Sequence, residues 1–254
     1  MSETEHLQVI LRSQKLVQNT QGYNVWEIVD TPTTFLTSQT TLVLCDVWDK
    51  HWCRGADERL ARLLPQMNRL VGTLRDKGVL IVHAPSGTMA FYTDMPARQR
   101  VLHAPEVEPP VDLSHDDPPL PVDASDGGCD TDSEVTRSTR AWTRQHSAIE
   151  IDQERDAISD DGRELYNLYH QRGIKNLFIM GVHTNMCILG RSFAIKQMVR
   201  WGFNVALVRD LTDAMYNPAK APYVSHEEGT GLVIEYIEKF WCPTVSSEGV
   251  IDGL

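Results

Sequence analysis

No stretch of this sequence approaches the roughly 18 uncharged apolar residues that a membrane-crossing helix needs. The opening MSETEHLQVILRSQ carries charges of both signs and no apolar core ahead of a cleavage site. A soluble, cytoplasmic protein is the expectation. Cationic charge is scarce as well: 24 Lys and Arg stand against 35 Asp and Glu, a formal net charge of -11. Such a surface repels phosphate backbones and anionic headgroups, so neither nucleic acid nor membrane is an expected partner. The five cysteines (Cys45, Cys53, Cys129, Cys187 and Cys242) are odd in number and include no CxxC pair. They predict neither a disulfide framework nor a zinc knuckle, but free thiols in a reducing compartment. Glycine-rich phosphate loops and dinucleotide fingerprints are absent. His51 and Cys53 lie only two apart, and DASDGGCDTD lacks the spacing of a calcium loop. No metal and no cofactor are expected, which leaves side-chain chemistry on a small-molecule substrate.

What is present is an alternation. With 254 residues and 41% hydrophobic content the chain can fill one sizeable α/β core. LQVILRSQKLV and YNVWEIVDTPTTF, separated by the turn-prone QNTQG, predict an N-terminal hairpin within residues 1–38, ahead of a main domain over 39–254. Buried strands are then predicted at Thr40 to Val47, Val79 to Pro85, Ser147 to Ile151, Asn176 to Val182 and Asn204 to Asp210. Helices are predicted between them. One is Ala56 to Gly78, where Leu60, Leu63, Leu64, Met67, Leu70, Val71 and Leu74 recur at helical spacing and Gly78 suits a C-terminal cap. Others are DDGRELYNLYHQRG, a long helix from about Asn185 to Trp201, and GTGLVIEYIEKFW, with PTVSS as a short final strand. Near-continuous apolar strands alternating with helices imply a mostly parallel sheet covered on both faces, a three-layer α/β/α fold. One segment breaks the pattern. From about residue 103 to 146 the chain is dense in Pro, Asp, Ser and Gly, an insertion of the kind that serves as a surface loop or as a lid over a ligand.

In such sheets ligands sit beyond the carboxyl ends of the strands. That rule singles out Asp46, then His83 and Ser86, then Glu150 and Asp152, then His183, Thr184 and Cys187, then Asp210 and Asp213. Cys187 would lie in the first turn of a helix, where free N–H groups and the helix dipole favour thiolate. A buried structural thiol has the same position. Asp46 at the end of an apolar strand must be paired or used, because an unpaired buried carboxylate costs several kcal/mol. Together they describe a base beside a thiol, a workable acyl-transfer site. Trp48, His51, Trp52, His83 and Thr184 would wall the pocket.

The stretch from Thr40 to Asp213 resembles the isochorismatase-like hydrolase superfamily, which includes nicotinamidases and related cysteine hydrolases. The resemblance runs through TTLVLCDVWDKHW, with DVWDKHW in place of the usual Asp-x-Gln-(Asn/Asp)-x-(Phe/Trp), then LRDKGVLIVHAP, the DAISDDGRELYNLYHQRGIKNLFIMGVHTNMC stretch and AIKQMVRWGFNVALVRDLTDAM. It implies a catalytic Asp, Lys and Cys: Asp46 as proton shuttle and Cys187 as the nucleophile cleaving a C–N bond of a small amide or carbamoyl substrate through a thioester. It also implies a cis peptide at Val182–His183, with the backbone N–H groups of His183 and Cys187 as oxyanion donors, and a homo-oligomer. The family's Lys is missing: HSAIEIDQERDAI contains none. Glu150, or Asp152, is expected in its place, with a histidine (His51, His83 or His183) or a cation such as Arg191 or Arg209 supplying the missing charge. The alternatives are an isochorismatase-type vinyl-ether hydrolase and an inactive binding protein of the same fold.

Overall fold

The structure, a computed structural model, describes residues 5–132 and 140–254. In chain order the strands are β1 (His6–Gln18), β2 (Asn24–Leu36), β3 (Thr40–Cys45), β4 (Leu80–Ala84), β5 (Ala157–Ile158), β6 (Asn176–Val182), β7 (Asn204–Asp213) and β8 (Thr244–Val245). The helices are α1 (Arg54–Asp76), α2 (Met89–Tyr92), α3 (Pro96–Leu102), α4 (Gly162–Arg172), α5 (Cys187–Gly190), α6 (Ile195–Arg200), α7 (His226–Phe240) and α8 (Ser247–Asp252). One eight-stranded sheet runs β2-β1-β8-β7-β6-β3-β4-β5. All its strands are parallel except the hairpin, whose β1 pairs β2 along its whole length and touches β8 only at Arg12 and Thr244.

Strand alternation divides the core. Val43 and Cys45 face the layer of α4, α5, α6 and α7, while Leu42 and Leu44 face α1 and α8. The periodic leucines of α1 fill the second face as expected, and Gly78, at φ 79, ends that helix. Asp161 caps α4 by accepting from Arg163 and Glu164 N–H, and Ser225 and Glu228 close a capping box on α7.

Three expectations need correction. Ser147 to Ile151 is not a strand. It turns, with Ile149 N–H on His146 carbonyl at 3.1 Å, and buries Ile149 in the α1-side core. The edge of the sheet is instead β5, paired through Val82↔Ala157 and His83↔Ile158. The apolar pattern of Ser147 to Ile151 is satisfied by packing without sheet pairing. The long helix from Asn185 to Trp201 is two short ones, α5 and α6, with Arg191 between them in extended conformation.

Nor are all five thiols free: Cys53, at the N-cap of α1, is disulfide-bonded to Cys129 in the insertion, leaving Cys45, Cys187 and Cys242. The insertion folds back onto α1 to make that bond. Asp130 takes two hydrogen bonds from Arg59, at 2.9 and 3.1 Å, and Gly55 N–H donates to Thr131 Oγ1 at 2.9 Å. Gly128, at φ 73, lies so near the Met215 carbonyl that a Cβ would stand 2.2 Å from its oxygen. Pairing across 76 residues leaves no spacing signal in the sequence. Residues 133–139 of the expected insertion lie outside the described residues. No helix among the described residues is long and apolar enough to cross a membrane.

Candidate active site

The ends of β3 and β6 meet at a glycine. Gly181 stands at φ 118 opposite Cys45, and a Cβ there would come 2.0 Å from the Cys45 carbonyl oxygen. The next residue of β3, Asp46, leaves the strand at φ 53, a left-handed conformation that a non-glycine residue adopts at some cost. Its carboxyl is buried. Oδ1 accepts the Ser86 N–H at 2.7 Å, and Oδ2 accepts Arg191 Nε at 3.0 Å and Nη2 at 2.9 Å. Burial raises its proton affinity, and the charge of Arg191 with the hydrogen bonds of Cys187 and Ser86 only partly offsets that.

The peptide Val182–His183 is cis. The loop after it is pinned to β7: Thr184 N–H donates to the Asp213 carbonyl, Thr184 Oγ1 pairs with Thr212 Oγ1 at 2.7 Å, and Asn185 and the Met215 backbone exchange two hydrogen bonds of 2.9 Å. Cys187 follows as the first residue of α5, its thiol close enough to Asp46 and to the His183 N–H for each to bear on its proton affinity. Neither the His183 nor the Cys187 N–H donates to a backbone carbonyl among the described residues. The helix then breaks, and the break delivers the cation: Arg191, at φ -67 and ψ 152, turns its guanidinium back onto Asp46.

These contacts change the expected charge states. Burial, and then the neighbouring Asp46, push the Cys187 thiol up to about 12 despite Arg191. A helix of four residues does not deliver the expected thiolate. His51 and His183 do not supply the missing charge either. Burial lowers His51 to about 4 and His183 to about 3, so both rings are neutral at neutral pH. Arg191 is the cation paired with Asp46.

The other expected residues are distributed as follows. His51, Trp48 and Trp52 gather beside His183: His51 packs edge-on against His183 at 4.9 Å and tilted against Trp52 at 5.3 Å. Trp48 donates its indole N–H to the Ser86 carbonyl at 3.2 Å and stacks at 4.2 Å on Trp142, which also lies parallel to His51. Contacts therefore run in a closed circuit from Asp46 through Ser86, Trp48, Trp142, His51 and His183 to Cys187. Thr184 is spent on β7. His83 is fully buried, bonded to Gln145 and Asp156 at 2.9 Å each.

Glu150 is not brought to Asp46. Its side chain is exposed, its N–H donates to Asn68 and its carbonyl accepts from Arg75. Asp152 binds Arg155 at the surface, and Arg209 lies toward the hairpin among Arg12, Asp210, Glu238 and Asp30. The segment ahead of β5 reaches the centre through residues that sequence reasoning passed over. Trp142 is one, and buried Gln145, bridged to Trp48, is the other. Both sit in a stretch without periodicity, so nothing local marked them. Among the described residues no group of three His, Cys, Asp or Glu side chains is placed to hold a metal.

The family model described as Isochorismatase domain matches residues 40–222. A cysteine hydrolase from Pseudomonas syringae pv. phaseolicola 1448A is similar in structure over 86% of this chain and 93% of its own, with TM-score 0.54 and 14% identity. An isochorismatase from Pseudomonas putida KT2440 is similar over 84% and 91%, with TM-score 0.50 and 11% identity. At these identities the likeness is one of fold. No curated protein matches the sequence.

Proposed function

Since the chain belongs to the isochorismatase family and has its hydrolase fold, we propose that it is a cysteine hydrolase that cleaves a C–N bond of a small amide, carbamoyl or related substrate. The observation that carries this reading is the grouping of three side chains: the Cys187 thiol beside the Asp46 carboxyl, and Arg191 on Oδ2 of that carboxyl.

The resting site holds a protonated thiol, so attack and proton transfer are coupled. Asp46 takes the S–H proton as the sulfur adds to the substrate carbonyl carbon. The carbonyl π electrons move onto oxygen, and the His183 and Cys187 N–H groups receive that oxyanion. Collapse breaks the C–N bond, with the proton on Asp46 passing to the leaving nitrogen. Asp46 then removes a proton from water, hydroxide adds to the thioester, and the thiol is regenerated as the acid leaves. Arg191 keeps Asp46 ionised often enough to act as the base, the service expected of the absent lysine. It does so from the sulfur's own loop.

Intact-mass measurement after incubation with small amides, ureas and carbamates tests the reading. An acyl adduct that maps to Cys187, absent from Cys187→Ala, is the expected result. Turnover retained in Cys187→Ala overturns it and favours the vinyl-ether chemistry, which needs an acid but no thiol.

A further inference from the structure

The disulfide that ties the insertion to α1 joins two sulfurs in unlike surroundings. Cys53 is fully buried at the N-cap of a 23-residue helix, whereas Cys129 is only partly buried in the turn of the insertion. Burial disfavours a thiolate at Cys53. The first N–H groups and the dipole of so long a helix favour one, and the Thr131 hydroxyl stands 3.7 Å from Cys53 Sγ to support it. Attack on the less buried Cys129 sulfur therefore expels Cys53 as a stabilised leaving group, the condition for thiol–disulfide exchange.

The same bond meets the catalytic centre by two routes. Cys53 N–H donates to His51 Nδ1 at 3.1 Å, and the His51 ring lies edge-on to His183 at 4.9 Å. On the other side Gly128 presses on the Met215 carbonyl, which accepts Asn185 Nδ2 at 2.9 Å, two residues before Cys187. Cys53, Ala56 and Met215 pack in one small cluster, with Trp52 and Cys129 at its edge. Unbonded sulfurs cannot remain at bonding distance, and a close-packed interior has no spare room for the extra separation. Opening the bond then shifts either the Cys53 end, which carries His51, or the turn that braces Met215. Arg59 on Asp130 and Gly55 N–H on Thr131 keep the turn near enough for the bond to form again.

We propose that Cys53 and Cys129 form a reversible redox site that takes a dithiol as co-reactant and controls the rate at Cys187. One thiolate of the dithiol bonds to Cys129 Sγ, the Cys53–Cys129 bond breaks, and Cys53 leaves as a thiolate that takes up a proton. The second sulfur of the dithiol then displaces Cys129, which is protonated in turn. Two electrons and two protons pass to the cysteine pair, and the dithiol closes to its own disulfide. The bonded form is the faster hydrolase. The effect on rate rests on Cys187 as the nucleophile; the exchange itself does not.

The full chain, reduced with dithiothreitol under native conditions and then reoxidised with glutathione disulfide, separates the two ideas. Labelling with N-ethylmaleimide and peptide mapping follows the pair at each stage. Once the reagents are removed, acylation of Cys187 by 4-nitrophenyl acetate is timed by intact mass against Cys187→Ala. Cys53 and Cys129 should become labelled together while the chain stays folded, and be protected again after reoxidation. Acylation should be about tenfold slower in the reduced form. Cys129→Ser should match the reduced form with or without dithiol; if it does not fold, the cycled natural chain decides. A pair that opens only in denaturant, or does not close again, overturns the redox site. Reversible opening with an unchanged acylation rate overturns its control of the centre. No acylation of Cys187 in either form overturns the hydrolase reading, and with it the control of rate, while the labelling alone still decides whether the pair exchanges.

Discussion

Asp46 and Asp156 are both fully buried and both are held by two nitrogens of an arginine, yet their proton affinities move in opposite directions. Burial would raise Asp156, but hydrogen bonds from His83 and Arg75 and the Asp152 N–H bring it down to about 2. Asp46 has one backbone donor and a thiol in place of those partners, and it stays above the ordinary carboxyl range. The arginines differ too: the side chain of Arg75 is 4% exposed, that of Arg191 38%. A carboxylate saturated with donors is fixed as an anion and ties elements together. One whose partners are a weak thiol donor and a more exposed arginine can exchange a proton, and that is the one beside the sulfur.

The sharpest break of this comparison is to neutralise each in turn. Asp46→Asn should lose about 10²–10⁴-fold in turnover while its stability stays within about 1 kcal/mol, because Arg191 can turn to water. Asp156→Asn leaves Arg75 buried without its partner and should cost about 3–5 kcal/mol. Denaturant midpoints and steady-state rates on both variants read the contrast, and a reversed pattern would dissolve it.

Acid should separate them next. The folded value of Asp156 lies below the 3.8 of an ordinary aspartate, so its stabilisation is complete above about pH 4 and is lost as pH falls toward 2. The shift amounts to about 2 kcal/mol. Asp46 works with the other sign: its raised value favours the folded chain while the carboxyl is protonated, and that contribution fades as pH climbs above the ordinary carboxyl range. Unfolding measured from pH 2 to 7 should show the acid loss reduced in Asp156→Asn and the opposing slope removed in Asp46→Asn.

Arg191→Met should have a smaller effect. Without the guanidinium Asp46 rises further, the acid limb of the rate profile moves to higher pH, and each unit of that movement removes about tenfold of the carboxylate form below it. Arg191→Lys should recover part of the rate and return the limb toward its original position. A profile that does not move in Arg191→Met would assign Arg191 to packing.

The division between what the sequence disclosed and what it hid follows the range of the interactions. Strands β3, β4, β6 and β7 and helix α1 announce themselves because their apolar residues recur within a few positions, and Asp46 and Cys187 are legible as the polar residues at the ends of such runs. Strand β5 has only two residues, too few for a period. The break at Arg191 depends on contacts outside the helix: Gly162 packs so tightly on Ser192 that a Cβ would lie 2.1 Å from the Ser192 carbonyl oxygen. The Cys53–Cys129 bond and the arrival of Trp142 and Gln145 at Trp48 join segments far apart in the chain. No local pattern encodes any of the three.

The smallest predicted effect tests that last point. Glu150 carries the right charge and follows the right kind of apolar run, but its run is a turn buried against α1 and its side chain faces solvent. Glu150→Gln should therefore leave both turnover and the pH profile unchanged within about twofold, as an exposed substitution does. A large loss would mean that the loop ahead of β5 turns over in the working enzyme. It would set a second carboxylate against Asp46, raise the proton affinity of both, and erase the distinction between Asp46 and Asp156.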